Sequence, residues 1–266
     1  MIEPILARIF VNQWAVLLLT SLILLVLAEV GYRFGAFSRK KNPEAAQGHS
    51  GSVQGAVLGL LGLLLGFSFA MAVGRFDARR ALVVEEANSI GTTWLRTDFL
   101  PGPYKGQVRD LLVQYTKLKI DAFDSSSDEE ELERSRDKIA EIHQQLWQNA
   151  ADASVERNTP VLATFITSLN ETLDLDSLRK AALRNHVPGA VWLLLLLVAG
   201  CGAWASGYGS GSGTGGVRSV FNQFLFPLLI AVVITLIADI DRTHKGLIGM
   251  NRAPMEDLLE SMQPRD

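Results

Sequence analysis

The sequence predicts an all-α membrane protein with four transmembrane helices in a two-plus-two arrangement and a helical cytoplasmic domain between spans 2 and 3. Three observations predict it: long apolar runs without charge, their grouping in two pairs around a long charged segment, and a helical period within that segment. The apolar runs cover residues 14–28, 51–74, 187–206 and 219–238. Each approaches the roughly 20 residues that carry a helix across about 30 Å of hydrocarbon, the first when residues 29–32 are added. Buried helices of water-soluble proteins normally keep a polar stripe, which these runs lack. The first run also exceeds the about 7 to 15 residues of a signal-peptide core, and no small-residue cleavage site follows, so it is expected to stay in the mature chain.

These runs divide the chain into an N-terminal segment (1–13), first span (14–34), second span (51–74), helical domain (75–186), third span (187–206), Gly/Ser loop (207–218), fourth span (219–238) and C-terminal cytoplasmic segment (239–266). Within the middle domain, Leu82, Val83, Ile90 and Trp94 recur at helical spacing over 78–95, and Val108, Leu111, Leu112, Tyr115 and Leu118 do so over 105–123. Pro101, Gly102 and Pro103 punctuate the two. Residues 124–133 read as a serine-rich and acidic loop tip, followed by a helix over about 130–150. A last helix starts at Thr159 and Pro160, where threonine can cap and proline can occupy the first turn.

Net charge is only −3 and no basic patch interleaves with aromatic residues, which excludes a nucleic-acid partner. The single cysteine, Cys201, excludes a disulfide framework and a Cys-based zinc site within the chain. Four spans place the N-terminus, middle domain and C-terminus on one side of the bilayer. That side holds Arg8, Arg75, Arg79, Arg80, Arg179, Lys180, Arg184, Arg242, Lys245 and Arg252 near span ends, against Arg33, Arg39, Lys40, Lys41 and Arg218 on the other. The positive-inside rule then predicts a multi-pass plasma-membrane protein with cytoplasmic termini, although the first span alone, with its basic residues after it, argues the opposite way.

Candidate functional residues concentrate in and around the second span. Gly55, Gly59, Gly62 and Gly66 lie along one helix face, where small residues let another backbone approach, either one of the chain's own helices or a second copy. The opposite face carries Leu60, Leu64, Phe67 and Met71, a stripe that faces lipid or core, or narrows a pore as an apolar ring. Polar residues at the membrane edges are Glu29, Asp239, Asp241 and Arg242 at span ends, and Arg75, Glu85, Glu86 and Asn88 beyond the second span. They are expected at headgroup level, paired or hydrated, or along an ion pathway. No catalytic constellation is expected: His49, His143, His186 and His244 are scattered, with no zinc-protease, nucleophile-elbow or phosphate-loop motif, so no enzyme activity, cofactor or metal is predicted.

Residues Gly62 to Arg80, GLLLGFSFAMAVGRFDARR, are followed by Val84-Glu85-Glu86-Ala87-Asn88 and Trp94-Leu95-Arg96. Together with Ser168-Leu169-Asn170, Val187-Pro188-Gly189-Ala190-Val191-Trp192 and Asp239-Ile240-Asp241-Arg242 before Gly246-Leu247-Ile248, this series resembles the bacterial bestrophin-like membrane proteins across nearly the whole chain. The resemblance extends in span order to the bestrophins, pentameric ion channels whose second transmembrane helix lines a narrow apolar neck. It implies an oligomeric ion channel in the lipid bilayer, with Leu60, Leu63, Leu64 and Phe67 as neck positions; the alternative is a non-conducting membrane module that binds a partner or senses a state of the bilayer. The run Leu60 to Leu64 is poorer in aromatics than bestrophin necks, and no counterpart of the acidic calcium-binding segment follows Arg242, so calcium gating is not predicted.

Overall fold

A computed structural model describes residues 13–41, 50–124, 129–212, 221–242 and 249–263. Among these, every regular element is helical. Helices α1 (Gln13–Lys41) and α2 (Ser50–Arg96) precede a 3₁₀ turn (Thr97–Phe99). Then come α3 (Gly102–Asp124), α4 (Glu129–Glu156), α5 (Pro160–Arg184) and α6 (Gly189–Ser212), and after them a π-helical turn (Phe221–Leu225), α7 (Phe226–Asp241) and α8 (Ala253–Ser261). Among the described residues, four helical stretches are long and apolar enough to cross a membrane, in the order the charge-free runs predict.

Local chemistry explains the breaks. Leu100, forced toward extended backbone by the proline after it, has ψ 142° and separates the 3₁₀ turn from α3. At the start of α5, Thr159 Oγ1 accepts the Leu162 N–H at 3.2 Å while Pro160 fills the first turn, as expected. The sequence reading differs at one connector. Residues 207–212, read as part of a Gly/Ser loop, continue α6 as helix. Gly207 and Gly211 are buried there, because a helix docked tightly on another needs bare backbone at the contact. The remainder of that loop (213–218), the segment 1–12 and residues 125–128 of the acidic loop tip lie outside the described residues, and the last residues of that tip, 129–133, are already helix at the start of α4.

The chain forms two compact units, one from residues 1–74 with 186–242 and one from 75–185 with 243–266. In the first, α1 packs most closely against α6 and next against α7. The seam with α6 is built from glycines on both sides. A Cβ added at Gly31 would overlap the Trp204 carbonyl, and one at Gly35 the Tyr208 carbonyl. Reciprocally, Gly207 meets the Ala28 carbonyl and Gly211 that of Tyr32. Residue numbers rise together on both helices, so α1 and α6 run parallel, as spans 1 and 3 must. Helices α6 and α7 run antiparallel: the start of one meets the end of the other, where both Asp241 carboxylate oxygens accept the Val187 N–H at 3.0 and 3.1 Å. Leu24, Ala28, Leu61, Leu195, Ala199, Ala203, Ala231 and Ile234 fill the core of this unit. Leu18, Leu22 and Leu193 are exposed outside it, an arrangement suited to lipid as the surrounding solvent.

The second unit gathers the C-terminal part of α2 with α3, α4, α5 and α8 around Ile90, Val108, Leu112, Tyr115, Leu146, Phe165 and Leu169. Helix α8 docks on α3 with Met255 and Met262 in that core. This is the amphipathic packing that the helical period of 78–123 predicts.

Candidate functional site

Within the first unit, α2 touches its neighbours along one line. Leu61, Ser68 and Ala72 are buried, seven and four residues apart and therefore stacked on one face. Leu58 and Val57 lie against Gly202 of α6, and Leu64 and Leu65 pack against the unit core. The face turned away from that line is uncovered. Leu60, Leu63 and Phe67 are 48%, 54% and 64% exposed, and Met71 is exposed as well. A Cβ added at Gly55, Gly59, Gly62 or Gly66 would meet nothing within 4 Å. Among the described residues, then, the glycine stripe packs against no helix of its own chain. Advancing about 100° per residue, the exposed Leu63 falls between the glycine face and the Leu60–Phe67 face, so the two that spacing alone sets opposite one another join in one uncovered surface opposite Leu61 and Ala72.

The membrane-edge candidates separate by environment. Glu29 accepts a hydrogen bond from Arg33 Nε at 2.8 Å and one from Gln223 Nε2 at 2.9 Å. Asp239 and Asp241 are buried at the end of α7, Asp241 holding the Val187 amide, with Arg242 half-buried beside them. In the second unit, Arg75 is half-buried and Glu85 and Asn88 are exposed, whereas Glu86 has no exposed surface at all.

Glu86 leads to a group of residues that sequence reasoning missed. Its carboxylate accepts from Arg179 Nη1 at 2.7 Å and Tyr115 Oη at 2.7 Å, and Lys119 Nζ lies at 2.8 Å. Lys119 also donates to Asp176, which pairs with Lys180 at 2.6 Å. Arg179 in turn lies 4.7 Å above the Phe123 ring, and His143 Nε2 is 3.9 Å from Asp176. Beside this hub, Thr172 Oγ1 meets Ser89 Oγ at 2.9 Å and Thr93 Oγ1 at 3.0 Å, extending the polar contact between α2 and α5.

Electrostatics follow from the pairing. Burial alone would raise the Glu86 carboxyl, but the charges of Lys119 and Arg179, with hydrogen bonds from Lys119 and Tyr115, hold it below the ordinary glutamate range. Asp176 follows the same logic: burial pushes it up, and the Lys119 charge with hydrogen bonds from Lys119 and Lys180 brings it below its ordinary value. Burial raises the Tyr115 hydroxyl well above its ordinary range, reinforced by the nearby Glu86 and Asp176 carboxylates. His143 is lowered, mainly by burial, against the pull of Asp176. The hub therefore sets Glu86 and Asp176 among Lys119, Arg179 and Lys180, a cross-brace joining α2, α3 and α5. Its sequence signal was the buried stripe itself. Lys119 continues the series Val108, Leu112, Tyr115, and Asp176 and Arg179 continue Phe165, Leu169, Thr172, so charges occupy positions where the helical period calls for core residues.

Paired antiparallel spans joined to a helical unit define an α-helical multi-pass membrane protein. The Bestrophin-like domain family matches residues 18–255, and the chain belongs to that family. A bacterial Bestrophin homolog from Klebsiella pneumoniae, solved as a point variant, superposes with a TM-score of 0.67 at 12% identity, covering 90% of this chain and 96% of that one. Another structure of the Klebsiella pneumoniae homolog gives 0.65 at 12% identity, covering 91% and 95%. A structure described as a membrane protein variant gives 0.69 at 11% identity, covering 91% and 97%. At such identities the likeness is one of fold. No curated protein matches the chain.

Proposed function

We propose that this chain is a subunit of an oligomeric ion channel in which α2 surrounds the pore. The observation that carries the reading is the uncovered surface of α2, where Leu60, Leu63, Phe67 and Met71 are exposed and a Cβ added at the glycines beside them would meet nothing within 4 Å among the described residues. Copies arranged about an axis use both parts of this surface: the bare glycine backbone lets neighbouring helices approach, and the Leu60–Phe67 face forms an apolar constriction that gates by dewetting. Leu64, packed on the core of its own unit, belongs to the scaffold of that constriction. Membership in the family supports the reading, as does the excess of lysine and arginine on one side. That excess puts both termini and the helical unit in the cytoplasm of a bacterial cell, with the spans in its plasma membrane. By the same resemblance, five subunits close the ring.

Purified oligomers in planar bilayers test this proposal. They are expected to pass current, and Phe67→Ala to change its size or its ion preference. Absence of current over a broad range of ions and voltages, from particles verified as oligomers, overturns it.

A further inference from the structure

We propose that the cleft between α1 and the π-helical turn preceding α7 binds one phospholipid with a primary-ammonium headgroup, a phosphoethanolamine lipid. This goes beyond the channel reading and depends only on the first unit lying in a bilayer. The cleft has a volume of about 330 Å³. Leu25, Val26 and Phe224 form its apolar part, and Glu29, Arg33 and Gln223 its polar end. Val26 and Phe224 are each 52% exposed, so acyl chains have open access to the apolar part.

Charge complementarity selects the occupant. Gln223 is 2% exposed, its amide nitrogen donates to Glu29, and among the described residues no donor reaches its Oε1. Exchanging the amide atoms would aim that oxygen at the carboxylate, so the orientation is fixed by repulsion. A carbonyl left without a donor in hydrocarbon is costly, and this oxygen belongs to the same amide whose nitrogen bonds the Glu29 carboxylate, so a donor that carries positive charge serves both. A primary ammonium carries three N–H groups and one positive charge, enough for both oxygens. Arg33 supplies the other half: its Nε is held by Glu29 while its side chain is 77% exposed, which leaves the terminal nitrogens for a phosphate. Because Nε touches the carboxylate, the acidic and basic groups lie at one level, matching a zwitterionic headgroup lying along the surface. A phosphocholine headgroup has no N–H to give, and a phosphoglycerol headgroup brings no cation to Glu29. The residue that supplies the bare carbonyl stands on a π-helical turn, an irregularity frequent at functional positions.

The test uses the full chain, reconstituted in vesicles of equal parts phosphoethanolamine, phosphocholine and phosphoglycerol lipids with identical acyl chains, then released in mild detergent for native mass spectrometry. Retention of the phosphoethanolamine lipid about tenfold over the phosphocholine lipid is expected, the factor that one charge-assisted hydrogen bond can supply. Glu29→Gln and Gln223→Leu are expected to erase that preference, and Arg33→Gln to lower retention of all three classes. Equal retention of the ethanolamine and choline lipids by the unsubstituted chain overturns the proposal. So do preferential retention of phosphoglycerol lipid, a preference that survives Glu29→Gln, and a cleft closed by a second copy that retains no lipid. Should the variants not fold, the unsubstituted chain with mono-, di- and trimethylated ethanolamine lipids decides: retention must fall as N–H groups are lost, and a flat series overturns the assignment.

Discussion

The two units of this protein bring helices together with opposite materials. In the membrane-spanning unit, α1 and α6 meet through bare backbone, at Gly31, Gly35, Gly207 and Gly211. In the other unit, α2, α3 and α5 meet through Glu86, Lys119, Asp176 and Arg179, each nearly or fully buried. The difference follows from the solvent on the outside. Lipid tails are as apolar as leucine, so apolar side chains give spans little reason to prefer one another, and close approach and dispersion must do the joining. Water drives the amphipathic helices of the second unit together anyway, and buried charges then fix which face meets which.

Breaking the hub should produce the largest effect. Glu86→Ala leaves Arg179 buried without its anion and Lys119 with Asp176 alone, and should cost about 3 to 5 kcal/mol. Hydrogen exchange of the full chain should show that loss in α3 and α5 while α1 and α6 keep their protection. A collapse of protection in both units alike would erase the distinction drawn above. Gly207→Val attacks the other material. Its new side chain falls on the Ala28 carbonyl, a backbone atom that cannot swing aside, and overpacking of this kind costs about 1 to 3 kcal/mol or more. A lowered melting temperature in detergent, with exchange rising first in α1 and α6, is the expected result.

Acid should distinguish the units next. The carboxyls of Glu86 and Asp176 titrate below their ordinary 4.5 and 3.8 when folded, so the stability they add is complete above those values and is lost as pH falls through the folded ones. His143 is also lowered, from 6.5; the unfolded chain takes up that proton first, and stability begins to decline once pH drops below 6.5. Denaturation followed at stepped pH should therefore weaken the hub-containing unit from mildly acidic conditions downward. A stability that stays level from pH 7 to 3 contradicts the assignment of these charges.

The smallest effect sharpens the contrast between glycines. Gly62→Ala adds a methyl group to open space and improves helix propensity by up to about 1 kcal/mol, so the isolated chain should be no less stable. If copies pack along this face, the same change should shift the distribution of oligomers measured by light scattering. An unaltered distribution would leave the face to lipid.

The fold was largely legible in the sequence, since uncharged runs as long as 51–74 have few readings other than a span, and Thr159 with Pro160 marks a helix start by chemistry alone. Spacing exposed the glycine stripe of α2 but not what covers it, because a period reports a face and never its partner. The true seam lay hidden in a Gly/Ser tract whose composition reads as linker, until its partner helix supplied a reason for order. The hub escaped for a related cause. Lys119, Asp176 and Arg179 look like solvated charges one at a time, and only the coincidence of three helices reveals that they neutralise one another.

That neutral foursome has a genetic consequence. A change at one member strands its opposite, so tolerated variants should arise as matched replacements: a charge reversed together with its counterpart, or a pair converted jointly to apolar residues of similar volume. In a library randomised at Glu86, Lys119, Asp176 and Arg179, survivors should be those whose four residues sum to zero charge, whichever residues carry it.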